Sequence, residues 1–195
     1  MNYLAHAYLS FGNPDILVGN MVADSVKGNQ INNFSENIKK GIYLHRQIDE
    51  FTDKHPIPRK LKSVFSDAVG RYSASFLDIA FDHFLATDNV NEPAEGWEVF
   101  SQECYSQIDG YVSGLNENFQ RLFYYMKKDN WLYNYRYDWL IKKSFEKLAE
   151  RAVYLDDQTD AYNSFQENYS IIKEGYKEFF PDLKKYVLES FPVVS

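Results

Sequence analysis

The sequence predicts an all-α fold in a single domain, residues 1–195. Apolar side chains recur at helical spacing along most of the chain. Nine glycines and six prolines are too few for a turn-dense all-β protein. With 45% apolar and 25% charged residues, the chain is ordered and large enough to bury a core. No repeat, linker or low-complexity tract divides it. Sixteen tyrosines and fifteen phenylalanines are many, and each tyrosine needs a partner for its hydroxyl, which places many at the core boundary.

The elements follow in order. Gly12-Asn13-Pro14 is a turn, and Pro14 opens a helix through Ile16, Leu17, Met21 and Val22 to a stop at Gly28. Ser35-Glu36 begins a second helix, with Ile38, Ile42, His45 and Asp49 on one face. This helix ends before Pro56, because the residue preceding proline is pushed out of the α region. Pro58 starts a third, with Leu61, Val64, Phe65 and Ala68 inward. Ser73 or Ser75 caps a fourth that carries Phe76, Leu77, Ile79, Ala80, Phe84 and Leu85. After a polar loop from Asn89 to Gly96, helices are expected over Trp97–Ile108, Leu115–Met126, Leu140–Tyr154 and Gln158–Tyr186, with breaks at Pro181 and Pro192. Trp131, Tyr133, Tyr135, Tyr137 and Trp139 alternate as a strand would, yet Trp131, Tyr135 and Trp139 also share a helix face. The helical neighbours favour the second reading.

Composition narrows the function classes. One cysteine, Cys104, permits neither an internal disulfide nor a cysteine zinc cage. A formal charge of -7 disfavours general nucleic-acid binding. The charge is uneven, however. Lys27 to Lys62 holds eight Lys/Arg against four acids, a solvated face or a docking surface for an acidic partner. The opening MNYLAHAYLS has no basic n-region, and no apolar run approaches the roughly 20 residues of a spanning helix. No membrane association and a cytoplasmic location are therefore expected.

All four histidines fall within the first 83 residues, among several aspartates. In GIYLHRQIDEFTD, His45 and Asp49 are four apart and share a helix face, with Asp53 continuing the row. In LDIAFDHFL, Asp78 and Asp82 are four apart and His83 adjoins Asp82. A charged pair among Ala80, Phe81, Phe84 and Leu85 must be paired or coordinated. Divalent cations need such imidazole and carboxylate donors converging from several elements. Each has a plainer reading as well. His45/Asp49 suits a surface or capping pair, His6 a satisfied core histidine, Asp24 a helix-end partner of Lys27, and His55 before Pro56 a turn. Arg46 and Lys27 could meet an anionic substrate or be surface charges. No phosphate-cradling glycine loop, no G-x-S-x-G elbow and no H-E-x-x-H motif is present, and Cys104 has no adjacent histidine. Metal-assisted hydrolysis of a phosphoester is the chemistry that remains.

The ordered set MNYLAHAYLS, GNMVADSVKG, GIYLHRQIDEFTD and LDIAFDHFL resembles the bacterial acyl carrier protein phosphodiesterase family, as do WLYNYRYDWL and LAER at Leu148–Arg151. The resemblance implies a helical fold related to the HD-domain phosphohydrolases. It implies hydrolysis of the phosphodiester between 4'-phosphopantetheine and a serine of holo-acyl carrier protein, with a manganese or magnesium ion. Its blocks carry over onto Asp24, His45, Arg46, Asp49, Asp82 and His83, with His6 in the first. On that basis Asp24, His45, Asp49, Asp82 and His83 are expected as metal ligands. Arg46 and Lys27 are expected to bind the phosphate, and His6 to protonate the leaving alkoxide. An ordinary HD domain has a His-Asp dipeptide, whereas this chain has Asp82-His83, so ligand roles do not transfer directly. Two other functions stand beside this one: hydrolysis of a nucleotide or other small phosphoester, and non-catalytic binding of a carrier protein. The sequence leaves oligomeric state open.

Overall fold

Two glycines set a close helix crossing. The structure, a computed structural model, describes residues 1–152, 155 and 160–191. Helix α2 (Pro14–Val22) runs against α3 (Glu36–Lys54) where Gly19 meets Gly41. A Cβ on Gly19 would lie 2.1 Å from the Ile38 carbonyl oxygen, and one on Gly41 would lie 2.3 Å from that of Ile16. Backbone thus rests on backbone, which only glycine permits. Asn13 caps α2 by accepting from Ile16 N, and Ser35 caps α3 by accepting from Ile38 N. The expected continuation of α2 to Gly28 does not occur: Ala23–Ser25 forms a 3-10 turn that carries Asp24.

The order continues with α1 (Tyr3–Tyr8) ahead of this pair and α4 (Pro56–Leu61), α5 (Ser63–Val69) and α6 (Ser73–Ala86) after it. The third helix starts at Pro56 rather than Pro58, since proline at the first position loses no hydrogen bond. His55 ends α3 and accepts from Ile57 N, the turn role its sequence suggested. Helix α6 is buried on most of its surface, from Phe76 to Ala86, and packs against α1, α5 and α12. Then come α7 (Gly96–Asp109), α8 (Glu117–Lys128), α9 (Trp131–Asn134), α10 (Asp138–Arg151), α11 (Ala161–Glu167) and α12 (Tyr169–Ser190). No strand occurs among the described residues. The Trp131–Trp139 stretch is helical, although a turn between α9 and α10 breaks the shared face: Tyr135 is buried while Trp139 is 48% exposed. Tyr154, Gln158 and Pro192, which bounded expected helices, lie outside the described residues.

The break expected at Pro181 is absent, and α12 runs through it. Interior proline costs about 3 kcal/mol. Burial of Tyr176, Phe179, Phe180, Leu183 and Val187 along one face offsets that cost. Aromatic rings form two groups, Phe65, Phe76, Phe145 and Phe165 packed mainly edge to face, and Phe81, Tyr176, Phe179 and Phe180 with two stacked pairs. Buried tyrosines keep partners: Tyr176 donates to Asp88 at 3.0 Å, and Tyr105 accepts from Leu132 N at 3.0 Å. One hydrophobic core runs from Met1 to Val187.

Candidate active site

Four side chains converge where α1 and α3 meet the 3-10 turn after α2. His6 Nε2 lies 3.3 Å from Asp49 Oδ1. His45 Nε2 lies 3.2 Å from Asp49 Oδ2 and 3.1 Å from Asp24 Oδ1. The two imidazoles stack with centroids 4.0 Å apart. Both rings are buried, while the Asp49 and Asp24 side chains are 41% and 73% exposed. The cluster therefore opens to solvent on its carboxylate side. On the far side, His6 Nδ1 meets Asn20 Oδ1 and His45 Nδ1 meets the Asn20 carbonyl oxygen, both at 2.7 Å. The Met1 α-amino group lies 3.0 Å from Asp78 and 3.6 Å from Asp49.

Electrostatics separates the two histidines. Burial and the neighbouring His45 charge push His6 down to about 4, outweighing its attraction to Asp49. Burial also opposes charge on His45, but hydrogen bonds and charges from Asp49 and Asp24 prevail and lift it to about 9. Burial opposes ionisation of Asp49, yet the hydrogen bond from His45 and the Met1 ammonium charge hold its pKa well below the carboxylate range. The hydrogen bond from His45 likewise lowers Asp24.

The donor set fits a divalent cation. His6, His45 and Asp49 each offer an atom, all within 4.8 Å of one another. His6 Nε2 is buried and has no hydrogen-bond partner, despite its closeness to Asp49. An orphaned nitrogen facing an anionic oxygen calls for positive charge between them. Imidazole with carboxylate is a borderline-to-hard set suited to manganese and accessible to magnesium.

The structure does not bring Asp82 and His83 to this centre. Asp82 is fully buried and accepts from Leu4 N at 2.7 Å, Ala5 N at 3.2 Å and Asn2 N at 3.4 Å. It caps α1, whose own Asn2 side chain makes no cap, and so ties α1 to α6. Burial raises Asp82 to about 7 against the pull of those N–H groups. His83 donates from Nδ1 to the Tyr135 carbonyl at 2.8 Å and meets the Tyr169 hydroxyl through Nε2 at 3.0 Å. The apolar setting that singled out this pair is satisfied by hydrogen bonds. Arg46 sits on the exposed face of α3, one residue off the His45–Asp49 row, with its guanidinium over Tyr43 at 5.9 Å. Lys27 is exposed just beyond the 3-10 turn. Asp53 leaves the row to pair with Lys62 at 2.7 Å. Cys104 is buried and pushed up to about 12 by that burial, which leaves it unreactive.

Asn20 was not singled out by sequence reasoning, although an asparagine inside the apolar run ILVGNMV is a signal. Tyr3, half-buried on α1, packs against Trp131 at 6.0 Å between ring centres. Burial, with the nearby Asp24 charge outweighing that of Arg151, raises it to about 12.

Fold and cluster together define an all-helical protein with a half-open His/Asp centre. Residues 1–183 match the model of a family described as acyl carrier protein phosphodiesterase, and the chain belongs to that family. The acyl carrier protein phosphodiesterase of Photorhabdus laumondii is 30% identical over 93% of this chain and 92% of its own. The Serratia proteamaculans protein of the same name is 30% identical over 94% and 95%. That of Pectobacterium atrosepticum is 29% identical over 93% and 94%. No solved structure gives a significant match.

Proposed function

We propose that the protein hydrolyses the phosphodiester between 4'-phosphopantetheine and a serine of holo-acyl carrier protein, releasing apo-carrier and 4'-phosphopantetheine. The family and its relatives' names supply the substrate. The convergence of His6, His45, Asp49 and Asp24 supplies the chemistry, and it is the observation that carries the reading. These four would hold one manganese or magnesium ion, in place of the ligand set that included Asp82 and His83. Bound there, a divalent ion supplies Lewis acidity toward a phosphoryl oxygen and acidifies water.

The chain's own groups account for the rest. Both imidazole rings are buried, so water is excluded from one side of the centre. Asp24 and Asp49 keep their charge at neutral pH and aim it at the open side. His6 is pushed too low to carry a proton at neutral pH, which suits it to donate a lone pair rather than to protonate the leaving serine oxygen. Lys27 and Arg46 are exposed, the first three residues from Asp24 and the second next to His45 in sequence, and would attract an acidic carrier. The kinship with HD-domain phosphohydrolases and a cytoplasmic location belong to this reading. No helix among the described residues is long and apolar enough to cross a membrane.

The test is the intact mass of holo-acyl carrier protein incubated with the enzyme and manganese or a chelator. Manganese-dependent loss of the phosphopantetheine mass is expected. An unchanged carrier, with turnover of a small phosphodiester instead, would move the substrate away from the carrier. Tight carrier binding without turnover would make the protein a binding module.

A further inference from the structure

We infer that Asn20 is the positioning residue of the centre: it holds a proton on Nδ1 of both histidines, His6 through its side chain and His45 through its backbone carbonyl. Both Nε2 atoms are thereby turned toward Asp49, that of His6 as a lone pair and that of His45, in the metal-free protein, as a donor to Asp24 and Asp49. The Nδ1 protons follow from hydrogen bonding alone; their consequence for metal binding rests on the proposed function.

The Asn20 side chain is fully buried. Its Nδ2 lies 2.8 Å from the His6 carbonyl oxygen and 3.2 Å from Ser10 Oγ. Ser10 Oγ gives its own proton to that same carbonyl at 2.8 Å, so it faces Asn20 with a lone pair. Both neighbours therefore demand a donor. Turning the amide over would set Oδ1 against a carbonyl oxygen and an oxygen lone pair. With Nδ2 so placed, Oδ1 faces His6 Nδ1 at 2.7 Å, and that nitrogen must donate.

His45 is held by a different part of the same residue. Asn20 lies in the last turn of α2, where carbonyls lack an α-helical partner. The Gly19–Gly41 contact brings the α3 backbone close enough for His45 Nδ1 to reach the Asn20 carbonyl at 2.7 Å. A carbonyl only accepts, so Nδ1 carries the proton. Outer hydrogen bonds of this kind orient imidazole ligands, and losing one lowers metal affinity about 10- to 100-fold.

The experiment is two-bond 1H–15N NMR of the histidine rings in the metal-free, full-length protein near pH 8, with manganese affinity measured by EPR. In the wild type, His6 is expected to show a protonated Nδ1 and an unprotonated Nε2. Asn20→Ala removes the acceptor of His6 only. His6 then loses its Nδ1–H preference, His45 keeps a proton on Nδ1, and manganese affinity falls about tenfold or more. General loosening of the fold would move both rings together. If Asn20→Ala does not fold, the wild-type spectrum still decides, because His6 protonated on Nε2 overturns the assignment. So does an Asn20→Ala protein with unchanged His6 shifts. A wild type that shows Nδ1–H on His6 yet binds no manganese upholds the assignment and defeats the metal reading instead.

Discussion

Nε2 of His6 and Nε2 of His45 lie within 3.3 and 3.2 Å of the two different oxygens of Asp49, while the rings stack 15° from parallel. One carboxylate thus spans two histidines drawn from helices that lie apart in sequence. His45 reaches it by the four-residue step along α3, and His6 from α1, which packs on α2 and α6. Asp24 completes the set from outside, on a short turn that leaves it open to solvent.

The aspartates at 49 and 82 should respond in opposite ways to mutation. Asp49→Asn is expected to lower kcat at least about a thousandfold, the scale of losing metal electrophilicity. Asp82→Ala leaves Leu4 N and Ala5 N unsatisfied in the core and should destabilise the fold by about 2–4 kcal/mol. His83→Gln should retain manganese-dependent turnover. Thermal melts beside initial rates on holo-carrier check all three, and a folded His83→Gln protein without activity would contradict the placement.

The split between these aspartates shows what the sequence could carry. His45 and Asp49 were legible because both lie on one helix, where spacing alone fixes the face. Asp24 was legible through its block in the family resemblance. Asp82 and His83 looked like ligands because a charged pair in an apolar run needs partners. The partners turned out to be the N–H groups of α1 and the Tyr135 carbonyl, tertiary neighbours that no local pattern announces. The all-α class was visible in periodicity, whereas Pro181 misled because its cost is outweighed by burial along α12. Asn20 stayed hidden because its role needs the α2–α3 crossing.

The helix crossing itself is testable. Gly41→Ala drives a Cβ to 2.3 Å from the Ile16 carbonyl, so backbone must shift. A loss of about 1–3 kcal/mol, or several degrees in Tm, is expected. Because Asn20 follows Gly19 on the opposing helix, the variant should also weaken manganese binding. Unchanged Tm and unchanged affinity would contradict the close approach.

In the metal-free protein, His45 ties stability to pH. Its pKa is raised in the fold to about 9 from an ordinary 6.5. Its contribution is therefore complete below pH 6.5 and is lost as pH rises through 9. Urea unfolding across pH 6.5–9.5 should show falling stability in the wild type and a weaker slope in His45→Gln. Equal slopes in the two proteins would show that the Asp24 and Asp49 contacts do not hold the charged ring.

The basic face offers a test of docking. Lys27→Glu combined with Arg46→Glu should raise KM for holo-carrier about tenfold at low salt and flatten its salt dependence. Hydrolysis of a small neutral-ended phosphodiester should lose less. Equal losses on both substrates would place these cations at the phosphate rather than on the carrier's path.

The centre is tested most directly by anomalous diffraction at the manganese edge from crystals grown with manganese. The account predicts a peak bounded by His6 Nε2, His45 Nε2, Asp49 and Asp24. A peak beside Asp82 and His83, or none at the four-residue cluster with manganese in excess, would contradict it.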